Sequence, residues 1–333
     1  MRILVTGGLG FIGSNLVLHL LTKYSDAKVT NIDNLSMSAN PLNLKSLKRN
    51  NRYRFVKGDI SRPRIVAGLV KDHDAIINCA AETHVDRSIA NPFSFQRSNV
   101  LGTLSLLEAM RKCNPKLRLV HVSTDEVYGD LPQGSFSETD RLRPSNPYAA
   151  SKAAADMFAL AHQRTHGLNV LVTRCTNNYG PFQHPEKLIP KTIIRAKQNL
   201  PIPIYGGGSQ VRDWIHVQDH CEALIQVLES GQSGEIYNIS AGNELQNIQV
   251  VGKILELMGK PKELIQLAED RPGHDLRYSL DSSKIRSRLG WKPIHSFDDA
   301  IKKTVEWYLK NEKIWKPKAS SKILHPTPWK LKW

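Results

Sequence analysis

A chain of 333 residues and 37.5 kDa has room for one large α/β core with an appendage, or for two modest domains. Its 40% hydrophobic and 23% charged residues exclude a mainly disordered chain, a collagen-like repeat and a membrane bundle. Lys and Arg number 46 against 31 Asp and Glu, a net charge of +15 that admits a nucleic acid, a membrane surface or a phosphorylated small molecule as partner.

The chain opens Met1-Arg2-Ile3-Leu4-Val5-Thr6-Gly7-Gly8, a strand running into a turn and too short an apolar stretch for a signal peptide. No apolar run approaches the ~18 residues of a transmembrane helix, so a cytoplasmic protein without a membrane partner is expected. Short runs rich in Ile, Leu and Val at 2–6, 28–32, 53–56, 74–78, 117–123 and 169–174 read as buried strands. Helical stripes at 12–23, 98–112 and 148–166 lie between them, and this alternation predicts βαβ units and a parallel sheet. Past about residue 175 the pattern loosens, with Pro181, Pro185, Pro190, Pro201 and Pro203 and the run Gly206-Gly207-Gly208. A second, less regular domain is expected there, with helices at 217–229, 247–258 and 297–310 and a strand at 235–239. The tail from 311 to 333 holds six Lys, one Glu and three Trp, a composition expected to strap onto the body. Cys79, Cys113, Cys175 and Cys221 are scattered without a CxxC pair, so neither a disulfide framework nor a metal cage is indicated.

Three constellations carry chemistry. Gly7, Gly10 and Gly13 follow the first strand and open a helix, a turn in which backbone and helix N-terminus can meet a pyrophosphate. Asp33, twenty residues past Gly13, ends the next strand, where a carboxylate accepts hydrogen bonds from ribose hydroxyls and repels a 2′-phosphate; NAD is expected over NADP. Tyr148 and Lys152 are spaced to share one helix face. A lysine cation beside an oxidised nicotinamide would lower the tyrosine pKa and make it a base. The same spelling at Tyr24/Lys28 and Tyr53/Lys57 falls outside a helical pattern and predicts nothing. Finally, strand 117–123 leads into Thr124-Asp125-Glu126-Val127-Tyr128-Gly129. Two adjacent acids beyond a parallel strand suit divided acid and base work, or a solvated turn.

Together these motifs make the chain resemble the extended short-chain dehydrogenase/reductases, and within them the dTDP-glucose 4,6-dehydratase branch. Further segments carry that resemblance: Ala80 to Ser88, Arg174 to Pro181, Lys187-Leu188-Ile189-Pro190, Val211-Arg212-Asp213-Trp214 and Asp270 to Asp275. Epimerases of nucleotide sugars usually carry Ser with small neighbours where this chain has Thr124-Asp125-Glu126, and the decarboxylases usually read Thr-Ser-Glu, which makes Asp125 the discriminating residue.

The resemblance implies a Rossmann-type doubly wound parallel sheet over residues 1–175 and a smaller α/β sugar-nucleotide domain mainly over 176–333, with about 215–240 packing back onto the first. It implies NAD contacts at Gly7, Gly10, Phe11, Ile12, Gly13, Asp33, Asp59, Ile60, Ala80, Ala81, Asn99, Tyr148 and Lys152. For Asp59 a strand-end cap is an equal alternative. The implied substrate contacts are His84, Asn178, Lys187, Leu188, Tyr205, Arg212, Asn247, Arg271 and His274, and each taken alone has a structural alternative. The implied catalytic set is Thr124, Asp125, Glu126, Tyr148 and Lys152, acting on dTDP-glucose in deoxysugar biosynthesis, in a homodimer through helices 98–112 and 148–166. A UDP-glucose 4,6-dehydratase, a 4-epimerase, or a non-catalytic RNA-binding or regulatory member of the fold are the competing readings. The first 310 residues carry no basic stripe interleaved with aromatics, which argues against nucleic acid. Thr83 and Asn99 stand where the branch more often has Ser and Thr.

Overall fold

In the computed structural model, which describes residues 1–333, the first half of the chain alternates strand and helix. The order is β1 (Arg2–Thr6), α1 (Phe11–Lys23), β2 (Lys28–Asp33), β3 (Tyr53–Lys57), α2 (Pro63–Val70), β4 (Ala75–Asn78), α3 (Val85–Ala90), α4 (Phe93–Phe95), α5 (Gly102–Cys113), β5 (Arg118–Thr124), α6 (Pro147–His166) and β6 (Asn169–Cys175). The second half continues with β7 (Asn177–Tyr179), α7 (Leu188–Lys197), β8 (Ile202–Tyr205), β9 (Val211–His216), α8 (Val217–Ser230), β10 (Ile236–Ile239), β11 (Glu244–Gln246), α9 (Asn247–Leu257), β12 (Ile265–Ala268), α10 (Ser283–Leu289), α11 (Phe297–Lys310) and α12 (Glu312–Trp315).

Seven of these strands form one parallel sheet in the order β10-β6-β5-β4-β1-β2-β3. The near-continuous apolar runs of the sequence follow from this: a parallel sheet covered by helices on both faces buries both sides of each strand. On one face Leu16, Val17 and Leu20 of α1 pack with Leu224 and Val227 of α8; on the other Val66 of α2, Leu106 and Met110 of α5 and Ala159 of α6 fill the space. Each such fully buried aliphatic side chain contributes about 1.5–3 kcal/mol. The strand order reverses between β1 and β4, so a crevice opens at the carboxyl ends of those strands, the usual ligand position of a doubly wound sheet.

One helical expectation is revised. The stripe read over 98–112 begins as a wide π-turn at Gln96–Leu101 and becomes α-helical only at Gly102. This turn carries Asn99 into the interior, where its amide binds Glu82 N–H (2.9 Å), Glu82 C=O (3.0 Å) and Ser151 Oγ (2.8 Å); local satisfaction of a buried amide outweighs regular helix hydrogen bonding.

Beyond β6 the chain builds a three-stranded sheet, β11-β9-β7, and a parallel pair, β12-β8, around a separate apolar cluster of Ile189, Ile193, Trp214, Val250, Ile301 and Tyr308. The tail is pinned by its aromatics. Trp315 and Trp329 are buried, Trp315 Nε1 donates to Tyr308 O at 2.8 Å, and Trp329 stands edge-on to Tyr205 at 4.9 Å. No helix is long and apolar enough to cross a membrane.

Candidate active site

The turn between β1 and α1 is shaped for close approach. Gly7 has φ +67°, a conformation that disfavours any side chain, and a Cβ there would meet Ala80 Cα at 2.7 Å. A Cβ on Gly13 would meet Gly8 Cα at 2.7 Å. The backbone is thus pressed against the segment just past β4 and against itself, leaving the mouth of the turn free for a diphosphate. At the end of β2, Asp33 accepts from Leu9 N–H (3.0 Å) and Leu35 N–H (2.8 Å), which partly offsets the upward push of burial on its pKa. Gly7, Gly10, Phe11, Ile12, Gly13, Asp33, Ile60, Ala80 and Ala81 line one cleft together with Thr124, Asp125, Glu126, Tyr148 and Lys152. This cradle, with a carboxylate at its far end, fits a dinucleotide such as NAD. Asp59 and Asn99 are not among its lining residues. Asp59 caps the strand end, accepting from Ser61 N–H at 2.8 Å, and pairs with Arg97 at 3.5 Å; Asn99 sits behind the wall.

Tyr148 and Lys152 lie on the first turns of α6. Asn146 caps that helix by accepting from Ala149 N–H, Pro147 occupies its first turn, and Gly167 ends it in the left-handed region. Both side chains are buried. Lys152 Nζ donates to Val122 O (2.7 Å) and stands 3.5 Å from His121 Nε2. Behind it runs a relay of buried polar groups: Thr6 Oγ1 donates to Asn78 Oδ1 (2.6 Å), Asn78 Nδ2 contacts His121 Nδ1 (3.1 Å), and Asp156 pairs with Arg174 (2.9 Å). Burial pushes His121 down to about 4, so it is neutral at pH 7. The expected lowering of the tyrosine pKa by Lys152 is not met by the protein groups alone. Burial, then the Glu126 charge, pushes Tyr148 well above its ordinary value, with the Thr124 hydroxyl working the other way. These surroundings favour the neutral phenol.

Asp125 and Glu126 open a 3-10 turn, Asp125–Tyr128, capped by Thr124, whose Oγ1 accepts from Glu126 N–H. Although adjacent, they sit in different surroundings. Asp125 is 2% exposed; its Oδ1 accepts from Thr124 Oγ1 at 3.0 Å, and its Oδ2 is buried without a partner. Burial first, and the Glu126 charge second, push its pKa up to about 8, so at pH 7 it is mostly a protonated acid. Glu126 is half-buried and reaches into a second cleft.

That second cleft is continuous with the first through Glu126, Asn177, Glu186 and Lys187, which line both. It gathers His84, Leu188, Tyr205, Arg212, Asn247, Arg271 and His274, from α3, α7, β8, β9, α9 and the 270–278 loop. Asn178 lines the cofactor side instead, and its amide is occupied by Thr176 O (3.0 Å) and His220 Nδ1 (2.9 Å). Arg212 donates to Val211 O, Asp275 O and Leu276 O and lies over Tyr278 at 4.2 Å, so it braces the loop as well as facing the cleft.

Several residues in the walls carry no signal of periodicity or spacing that would single them out. Asp86 holds Arg271 (3.1 Å) and Tyr205 (3.4 Å). Arg87 is buried between Glu82 (2.8 Å) and Glu186 (3.2 Å). Lys191, pushed down to about 8 by burial, lines the second cleft, as does Tyr278. Spacing that is invisible to periodicity, 185 residues for Asp86–Arg271 and 99 for Arg87–Glu186, separates these partners. Away from the clefts, ligand-type atoms of Glu108, His162 and His166 come within 4.8 Å of one another, but Glu108 is already bound by Arg111 and Lys112.

A dinucleotide cradle at the switch point of a doubly wound sheet, opening onto Tyr148, Lys152 and two carboxylates, defines an enzyme of the extended short-chain dehydrogenase/reductase class. More narrowly, the chain belongs to the GDP-mannose 4,6 dehydratase family, whose profile matches residues 4–304. A dTDP-glucose 4,6-dehydratase of Streptomyces niveus is 50% identical over 321 residues, 95% of each chain. The crystal structure of DesIV, a dTDP-glucose 4,6-dehydratase from Streptomyces venezuelae with NAD bound, superposes with a TM-score of 0.94 at 46% identity, covering 96% of this chain and 100% of that one. The NAD complex of UDP-glucose 4-epimerase from Thermus thermophilus is more distant, at TM-score 0.85 and 32% identity over 93% of this chain and 100% of the other.

Proposed function

We propose that the protein is an NAD-dependent dTDP-glucose 4,6-dehydratase, which removes water from dTDP-glucose to give dTDP-4-keto-6-deoxyglucose. The observation that carries this reading is Asp125, buried with its Oδ2 unpartnered, beside the more open Glu126. A 4-epimerase needs only an acid/base at C4, whereas loss of a C6 hydroxyl needs a proton donor beside a base.

NAD, when bound in the cradle, would supply reversible hydride transfer, out of C4, which becomes the ketone kept in the product, and back in at C6. The protein's own groups handle the protons. Tyr148, with Thr124 beside it and Lys152 beneath, takes the proton of the C4 hydroxyl; the nicotinamide ring's positive charge, added to that of Lys152, opposes the upward push that burial exerts on the phenol. The C4 ketone acidifies C5, and Glu126 removes that proton. Asp125 gives its proton to the departing C6 hydroxyl, which leaves as water, and Glu126 then returns a proton to C5. Arg271, Lys187 and Lys191 offer positive charge to a diphosphate, with Arg212 in the wall behind them.

Two finer points belong to the same reading. The protein is a homodimer through the helical stretches 98–112 and 148–166: Leu101, Met157 and Phe158 on them, with Phe93 on the adjoining α4, are 51, 47, 38 and 76% exposed, an apolar surface that pairing would cover. It works in the cytoplasm, where nucleotide sugars are made. Incubation with dTDP-glucose and catalytic NAD tests the activity: a 4-keto-6-deoxy product forms without accumulation of NADH. Formation of a C4 epimer alone, or no turnover, sinks the assignment.

A further inference from the structure

The C-terminal strap reaches the loop beside the cofactor cleft through a charged side chain. Lys318, just past α12, reaches back to donate its Nζ to Met37 O at 3.2 Å. Met37 belongs to the loop that follows Asp33, and its neighbours Ser36 and Ser38 line the cofactor cleft. That loop is fixed at its base from two sides. Asn40 N–H donates to Leu9 O in the glycine turn at 2.8 Å, and Asn40 Nδ2 donates to Ile314 O on the strap, also at 2.8 Å. The strap in turn is tied to the substrate half by the ion pair of Glu312 with Lys197 on α7. A cation is therefore held against the loop that follows Asp33, behind Ser36 and Ser38, which line the cleft, and is not itself a lining residue. Burial raises the Asp33 pKa and lowers that of Lys318, and the charge of each works against the shift of the other.

We propose that Lys318 is a second determinant of cofactor choice, opposed to Asp33: the carboxylate selects a 2′-hydroxyl, while the strap's ammonium offers a counter-charge to a 2′-phosphate. The chain's preference for NAD over NADP is then narrower than Asp33 alone would set. This rests on the dinucleotide reading of the cleft and goes beyond it, because it lets the charge of a segment remote from the Rossmann half bias the cofactor pocket. The physical basis is Coulombic. A half-buried ammonium adds attraction for a doubly charged phosphate that it cannot offer to a hydroxyl, and it also screens the repulsion from Asp33.

The test is a competition for binding, independent of turnover. The full-length protein is equilibrated with equal NADH and NADPH, separated from free nucleotide, and the bound ratio is read by chromatography. Lys318→Gln, which keeps a flexible polar side chain but removes the charge, lowers the bound NADPH:NADH ratio about fivefold, the scale of a partly exposed charge pair. Lys318→Arg keeps the parent ratio. Asp33→Ala raises the ratio, and adding Lys318→Gln to it removes more than fivefold, since the phosphate then approaches the rim unopposed. Equal loss of both nucleotides on Lys318→Gln makes the residue a loop tether only and overturns the proposal. Failure of Asp33→Ala to raise the ratio overturns the NAD reading beneath it, a result the Lys318 variants alone cannot produce.

Discussion

Asp125→Asn should make the protein more stable and nearly inactive at once. A carboxyl whose pKa rises on folding binds more protons in the native than in the unfolded state between the two values, so stability falls as pH rises through that window. For Asp125 the window runs from 3.8 to about 8. At pH 7 the penalty is on the order of 4 kcal/mol, from about 1.4 kcal/mol per pH unit. Asparagine has the same shape and takes up no proton, so it escapes this term, but it places an amide hydrogen where the partnerless Oδ2 now lies, at a cost of about 1–3 kcal/mol. The net gain at pH 7 is about 1–3 kcal/mol, shrinking to zero or reversing near pH 4 and levelling off above pH 8. Denaturant unfolding of both proteins across pH 4–9 reads it. In the same variant single-turnover dehydration falls by roughly 10²–10⁴, the usual worth of a positioned acid, while the appearance of reduced nicotinamide from C4 oxidation persists. A variant less stable at every pH, or one that loses both steps equally, refutes the picture of a buried neutral acid.

The remaining predictions concern the walls. Asp33→Ala weakens NAD binding and relaxes discrimination against NADP, measured by separate titrations of the two nucleotides; unchanged affinities would contradict its place at the ribose. Gly7→Ala forces a side chain to φ +67° and against Ala80, costing about 1–2 kcal/mol in backbone strain alone and releasing the dinucleotide, seen as lost nucleotide on gel filtration. Glu186→Gln leaves Arg87 buried with Glu82 as its one carboxylate partner and lowers unfolding free energy by about 2–4 kcal/mol, whereas a loss below 0.5 kcal/mol would mean that the pair is solvated.

The sheet was legible because parallel strands buried on both faces must be short apolar runs, and 2–6, 117–123 and 169–174 fall within a residue or so of β1, β5 and β6. The glycine turn was legible for a related reason: it is a local constraint, satisfied by residues within seven positions of each other. What the sequence hid depends on partners brought together only by folding. Nothing near Arg87 announces Glu186, and nothing near Lys152 announces the chain of contacts through His121 and Asn78. The π-turn at Gln96–Leu101 was hidden likewise, since its cause is Asn99 reaching Glu82 and Ser151, 17 and 52 residues away.

The carboxylate pair shows where local pattern stops and environment begins. Spacing alone leaves Asp125-Glu126 as easily a solvated turn as an acid and a base, because free in water the two carboxyls titrate almost together. They separate because β5 ends at Thr124 and a capped 3-10 turn follows: the first acid is turned inward under Thr124, and the second stays at the mouth between the two clefts. Burial then raises Asp125, and the nearby Glu126 charge raises it further, so ionising one group helps keep the other protonated. A dehydration that takes a proton from C5 and gives one at C6 needs that asymmetry before substrate arrives. Exchanging the two residues, Asp125→Glu with Glu126→Asp, keeps composition and charge but misplaces both carboxyls by a methylene, and should cost dehydration far more than C4 oxidation.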